Sequence, residues 1–128
     1  MRDYEHQEQV ELINRLQTLR PNYPELGLLF AIPNGGKRPI RAAMKMAAEG
    51  QMPGVPDLFL PVARRGKHGF FIEFKRADRR DQAGKLSRAY PSKEQKIWLP
   101  ALRNQGYEAM VSRGVDETIE NILNYTVG

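Results

Sequence analysis

The sequence predicts an α/β fold in which helices flank a small mixed β-sheet. Three observations carry that prediction. Apolar residues recur at helical spacing near the start, at Val10, Leu12, Ile13, Leu16 and Leu19. Residues 70–75 read F-F-I-E-F-K, a strand-like run bounded by Gly69 and a charged stretch. Helical and strand-like segments then alternate along the chain, an order that places helices against a sheet.

Taken in order, the first helix spans residues 4–19 and ends at Pro21-Asn22-Tyr23-Pro24, where proline breaks the backbone pattern. Residues 27–32 (G-L-L-F-A-I) form a short apolar run that reads as a buried strand. Pro33-Asn34-Gly35-Gly36 is a turn. The Ala- and Met-rich segment 39–49 reads as a helix, with Pro39 in its first turn and Gly50 past its end. Pro53-Gly54-Val55-Pro56 is a rigid turn into a strand at 57–61. Residues 63–69 are a polar hairpin loop, and 70–75 form the return strand. Residues 76–90 are charged, contain Gly84 and lack a period, so they read as a flexible loop. Ser92 is placed as an N-cap with Gln95 at the capping-box position. That helix runs to about Asn104 and ends near Gly106, with a kink expected at Pro100. A strand at 107–112 and a helix at 116–124 complete the chain.

The 128 residues, with 41% apolar and 27% charged, fit one soluble domain. Cysteine is absent, which excludes disulfides, thiolate metal sites and cysteine nucleophiles. No apolar run is long enough to span a bilayer. The opening Met1-Arg2-Asp3-Tyr4-Glu5-His6 is not a secretory signal, and a cytoplasmic setting is expected. The net charge of +5 and a pI near 9.7 make polyanions such as nucleic acid plausible partners.

Two strings carry the chemistry: Gly54-Val55-Pro56-Asp57-Leu58 and Ile72-Glu73-Phe74-Lys75. Side chains alternate along a strand, so Phe70, Ile72 and Phe74 share one face while Phe71, Glu73 and Lys75 share the other. Hairpin pairing brings Asp57 beside Glu73. Two carboxylates and an ammonium group in one place suit a hard divalent cation, Mg²⁺ or Mn²⁺, together with a phosphodiester. Each string alone also fits a bland role, a turn aspartate after proline or a solvated Glu-x-Lys ion pair. Their combination points to a metal-dependent nuclease.

These strings, with Ser92-Lys93-Glu94-Gln95 and Trp98, resemble the VRR-NUC domain, a branch of the PD-(D/E)XK nuclease superfamily. Ile32-Pro33-Asn34-Gly35-Gly36 and Glu5-His6-Gln7-Glu8-Gln9 resemble its opening, and Gly106 with the strand after it resembles its closing segment. The likeness runs from about Glu5 to Val115. It implies a restriction-endonuclease-like core and a stand-alone, phage-type nuclease in the host cytoplasm. It further implies a homodimer like the Holliday junction resolvases, cutting branched or flap DNA with Mg²⁺ or Mn²⁺ to leave 3′-hydroxyl and 5′-phosphate ends. By position, Asp57 and Glu73 would be metal ligands, Lys75 the catalytic lysine, and Gln95 a residue that helps position the site. Glu5 is the choice for the family's first-helix acid and a further metal ligand, since it shares a face with Gln9. Glu8 competes with it. The long charged segment 76–90 departs from the family pattern and reads as a substrate-contacting loop or an insertion.

Arg38, Arg41 and Lys45 fall on one helical stripe that could track phosphates. Lys37 follows two glycines whose N–H groups could approach a phosphate. Arg76, Arg79, Arg80, Lys85 and Arg88 in the later segment, and Arg64, Arg65, Lys67 and His68 at the hairpin tip, could grip DNA backbone; a solvated surface is the alternative in each case. His6 and His68 lie outside the carboxylate cluster, Trp98 reads as helix packing, and nothing suggests direct base readout. Two rivals to the nuclease stay open: a catalytically silent DNA-binding module of this fold, and a basic protein that binds an acidic partner.

Overall fold

The computed structural model describes residues 3–33 and 38–128. Helix α1 (Tyr4–Leu19) opens on Asp3, whose side chain accepts the His6 N–H at 3.0 Å. A 3-10 turn (Pro24–Leu28) leads to β1 (Phe30–Ala31). Helix α2 (Ile40–Ala48) and strands β2 (Leu58–Leu60) and β3 (Phe70–Lys75) follow. Next come β4 (Arg79–Arg80), β5 (Leu86–Ser87), α3 (Lys93–Asn104), β6 (Glu108–Arg113) and α4 (Gly114–Val127).

The main sheet has the order β1-β2-β3-β6. Its first two pairings are antiparallel and β3–β6 is parallel. A parallel pair needs a long crossover, and the segment containing α3 supplies it. Phe70, Ile72 and Phe74 are fully buried on one face of β3, packed with Leu12 and Leu16 of α1 and Ile119, Ile122 and Tyr125 of α4. Each such side chain contributes roughly 1.5–3 kcal/mol relative to exposure. Helix α3 stands apart from this core and packs against β6. On the second face, Phe59 stacks on Phe71 with ring centroids 4.1 Å apart.

Most of the expected elements form, with three differences. The apolar run at 27–32 yields only the two-residue β1, because Pro24 and Glu25 open a 3-10 turn that takes in Gly27 and Leu28. The segment 76–90 is no open loop. It contains the β4–β5 hairpin, tied by Arg76 to the Ser87 carbonyl and hydroxyl and by Arg88 to Asp78. Helix α4 extends beyond 116–124 at both ends. Helix α3 runs to Asn104 as expected, with Pro100 inside it and the Ser92–Gln95 capping box at its start. The turn at 33–36 lies largely outside the described residues.

The β2–β3 connection closes tightly. Arg64 and Lys67 exchange both backbone hydrogen bonds, and the two central residues, Arg65 and Gly66, have φ of 45° and 78°. This turn aims Arg64 and Arg65 at the C-terminus of α4. The Arg64 Nε donates to the Thr126 carbonyl at 2.9 Å and Arg65 donates to the Tyr125 carbonyl at 2.7 Å. Both guanidiniums thus satisfy orphan helix carbonyls and face the negative end of the helix dipole. At the hairpin tip the two side chains thus form a helix cap.

Two predictions test this architecture. Arg64→Ala should lower stability in chemical denaturation by about 1–2 kcal/mol, and parental stability would contradict the helix cap. Gly54 has φ of +89°, and a Cβ there would meet the Glu94 backbone at 2.6 Å. Gly54→Ala should therefore cost at least about 1–3 kcal/mol in a thermal melt, and an unchanged melting temperature would contradict this packing.

Candidate active site

Chain register builds the site. Leu58 faces Ile72, Phe59 faces Phe71 and Leu60 faces Phe70. One step back, the same register sets Asp57 opposite Glu73, so both side chains project from one face. Three contacts fix Asp57. Its backbone carbonyl accepts the Ile32 N–H at 2.7 Å. Its Oδ2 accepts the Phe74 N–H at 2.8 Å. Upstream, the Trp98 Nε1–H donates to the Pro53 carbonyl at 3.0 Å, pinning the approach loop to α3. Trp98 is thus a tether for the aspartate loop as well as a packing residue.

Glu73 is 1% exposed, and neither of its carboxylate oxygens has a hydrogen-bond partner. The Lys75 Nζ lies 3.4 Å from its Oε2, an ion pair at the long end for a hydrogen bond. The buried hydroxyls of Ser112 and Thr118 are better served. The Ser112 hydroxyl, for example, accepts from Thr118 and Asn121 at 2.9 Å each. A buried carboxylate left this way is costly unless something else binds it.

The first-helix acids divide their work. Glu5 lies within electrostatic reach of Lys75 and Asp57, and burial raises its pKa above 4.5, with Lys75 opposing and Asp57 adding. Glu8 instead accepts the Ala77 N–H at 2.8 Å, holding the chain as it leaves β3. Among the described residues, no three of the histidines and acids form a set that could hold a metal unaided. Two carboxylates suffice for Mg²⁺, which keeps several waters and borrows substrate oxygens. The orphaned oxygens of Glu73 beside Asp57 are hard donors of the right kind, so these residues fit the expected cation.

The remaining candidates fall elsewhere. The Gln95 carboxamide oxygen accepts the Ser92 N–H at 2.7 Å, so it is engaged in capping α3. Arg38 precedes α2 and contacts the Met46 sulfur, which leaves Arg41 and Lys45, not all three, on one helical stripe. Lys37 lies outside the described residues. The Arg76 guanidinium is bound to β5, Arg79 sits over the Tyr4 ring at 3.6 Å, and Arg80 donates to the Gly84 carbonyl at 2.9 Å. The β4–β5 hairpin was beyond sequence reasoning because its strands are two residues long. The alternation of Arg and Asp across it was the available signal.

Burial chiefly, then the neighbouring Asp57, push the Glu73 carboxyl up to about 9, with Lys75 opposing. Below about pH 4.5 the folded and unfolded chains both hold this proton. Between 4.5 and about 9 only the folded chain does, so rising pH favours unfolding, by up to ~1.4 kcal/mol per pH unit. Metal-free Glu73→Gln should therefore match the parent near pH 4 and exceed it increasingly toward pH 8 in thermal melts. A stability gap that does not change with pH would contradict this environment for Glu73.

The chain matches the VRR-NUC domain over residues 4–116. It is also similar to a solved structure described as a VRR_NUC domain protein, at 26% identity and a TM-score of 0.63, over 88% of this chain and 85% of that one. No curated protein matches it. The match over most of the sequence, with a structural counterpart of the same kind, shows that the chain belongs to the VRR-NUC domain family.

Proposed function

We propose that the protein is a metal-dependent DNA endonuclease. The observation that carries this reading is Glu73, a buried carboxylate with unmatched oxygens, set opposite Asp57 and 3.4 Å from the Lys75 ammonium. Family membership supports a nuclease-type domain acting on nucleic acid.

In this proposal Asp57 and Glu73 would hold Mg²⁺ or Mn²⁺, with Glu5 near enough to bear on the same charge. The bound cation would polarise the phosphodiester and lower the pKa of an attacking water. Lys75 stabilises the charge that builds on the phosphoryl oxygens as the bond to the leaving oxygen lengthens. Its ammonium is poised by Glu73 and is nearly shielded from solvent, where charge interactions are strong. Gln95 acts indirectly, by capping the helix whose Trp98 holds the aspartate loop. Arg41 and Lys45 are proposed to track the DNA backbone, and Lys37 and Arg38 are proposed to share in this.

Structure-selective action on branched or flap DNA fits a site with phosphate-directed charge and no evident base reader. A homodimer is part of the proposal, and α2 supports it: none of its residues is buried, and Ile40 and Met44 are 76% and 65% exposed. Among the described residues no helix is long and apolar enough to cross a membrane. A cytoplasmic location, in the host cell if the protein is phage-encoded, completes the reading.

The test is cleavage of labelled four-way, flap, single-stranded and linear duplex DNA with and without Mg²⁺. Asp57→Ala, Glu73→Ala and Lys75→Ala should each lower cleavage by at least about 10²-fold while DNA is still retained at low salt. Parental cleavage by Glu73→Ala would refute the hydrolytic site. DNA retention without cleavage by the parent would favour the silent binding module, and no retention at all would favour an acidic protein partner.

A further inference from the structure

We infer that the β4–β5 hairpin forms a pocket for an unpaired nucleotide of the DNA strand entering the site. The inference rests on the nuclease reading and adds a specificity element to it.

The hairpin begins four residues after Lys75, so Arg79 lies within about 14 Å of it along the chain. It is fastened to α1, since the Arg79 guanidinium stacks on the Tyr4 ring at 3.6 Å. Tyr4 immediately precedes Glu5, so one helical turn borders both the hairpin and the carboxylate site. Between the hairpin and Tyr4 lies a cleft of about 640 Å³, whose walls include Tyr90 and Leu86. That size is in the range of small-ligand pockets.

The chemistry of the cleft matches a nucleotide. Tyr90 is 67% exposed, and Leu86, also exposed, adds a second apolar surface. Large side chains usually withdraw from water, but here an aromatic ring and an aliphatic chain stand open beside cations. The Arg113 guanidinium lies 5.8 Å from the Tyr90 ring and biases that ring's position. Arg80 and Lys85 supply positive charge that outnumbers the one carboxylate, Asp81, which also lines the cleft and accepts the Lys85 backbone N–H at 2.8 Å. Arg88 is neutralised by Asp78 and serves the scaffold. A base stacked on Tyr90, with its phosphate toward Lys85 and Arg80, uses each of these features. Paired bases cannot offer a free face, so the pocket selects strands that are already unstacked.

The experiment uses the Glu73→Gln protein, so that binding is read without cleavage, and a DNA fork carrying 2-aminopurine in its unpaired arm. Tyr90→Ala should weaken fork binding about tenfold, as expected for one lost stacking contact. It should change the 2-aminopurine fluorescence seen on binding and spare affinity for plain duplex. Tyr90→Phe should restore both signals. Tyr90→Ala with parental fork affinity and fluorescence would overturn the inference. So would equal loss on fork and duplex, which would make the hairpin a general phosphate grip. Because Tyr90 is exposed, a thermal melt matching the parent verifies folding; should Tyr90→Ala melt lower, Lys85→Ala is read on the same probes, and parental fork affinity there overturns the inference too. Cleavage by the otherwise unchanged protein is scored separately, so loss of the nuclease reading leaves the stacking result distinct.

Discussion

A carboxylate sealed inside a sheet without a hydrogen-bond partner is the constraint on which the rest of this structure depends. Glu73 occupies a position where a strand would ordinarily place an apolar residue. Its neighbours do not relieve it. Asp57 stands opposite and opposes its ionisation, and Lys75 offers one distant contact. Removing a charge from water costs several kcal/mol when compensation is incomplete. A folded chain that retains such a group is organised for something that arrives later, and a hard cation with a phosphate is the simplest arrival.

The fold supplies the precision this requires. Antiparallel register fixes Asp57 against Glu73, and the strand period fixes Lys75 on the same face. The parallel pairing with β6 locks β3 from its other edge along all six residues, so the two charges cannot slide without breaking a full ladder. Close contact of Gly54 with α3 and the Trp98 tether then restrain the loop that delivers the aspartate. The hydrophobic core lies on the opposite face, with α1 and α4, so stability and site are carried on two sides of one strand.

Much of this was legible in the sequence where local rules dominate. The helical period of α1, the alternation in β3 and the Ser92–Gln95 cap are each settled by neighbouring residues. Pairing of Asp57 with Glu73 was legible too, because two adjacent strands joined by one turn leave little choice of register. What escaped depended on distant partners. Arg64 and Arg65 looked like surface charge until α4, some 60 positions on, presented its last carbonyls to them. The hairpin of 79–87 is held by side chains more than by strand length. Phosphate-tracking by Arg38 was assigned from spacing alone, and the helix begins after it. Gln95 satisfied both a capping rule and a family pattern, and the structure displays the capping.

The most direct test is calorimetric titration of the protein with Mn²⁺ in two buffers of different ionisation enthalpy near pH 7.5, which counts protons displaced as the cation binds. The account requires saturable binding accompanied by proton release, because Glu73 must ionise to become a ligand, and loss of that release in Glu73→Gln. Binding of equal strength and equal proton release in the two proteins, or no binding by the parent, would contradict it.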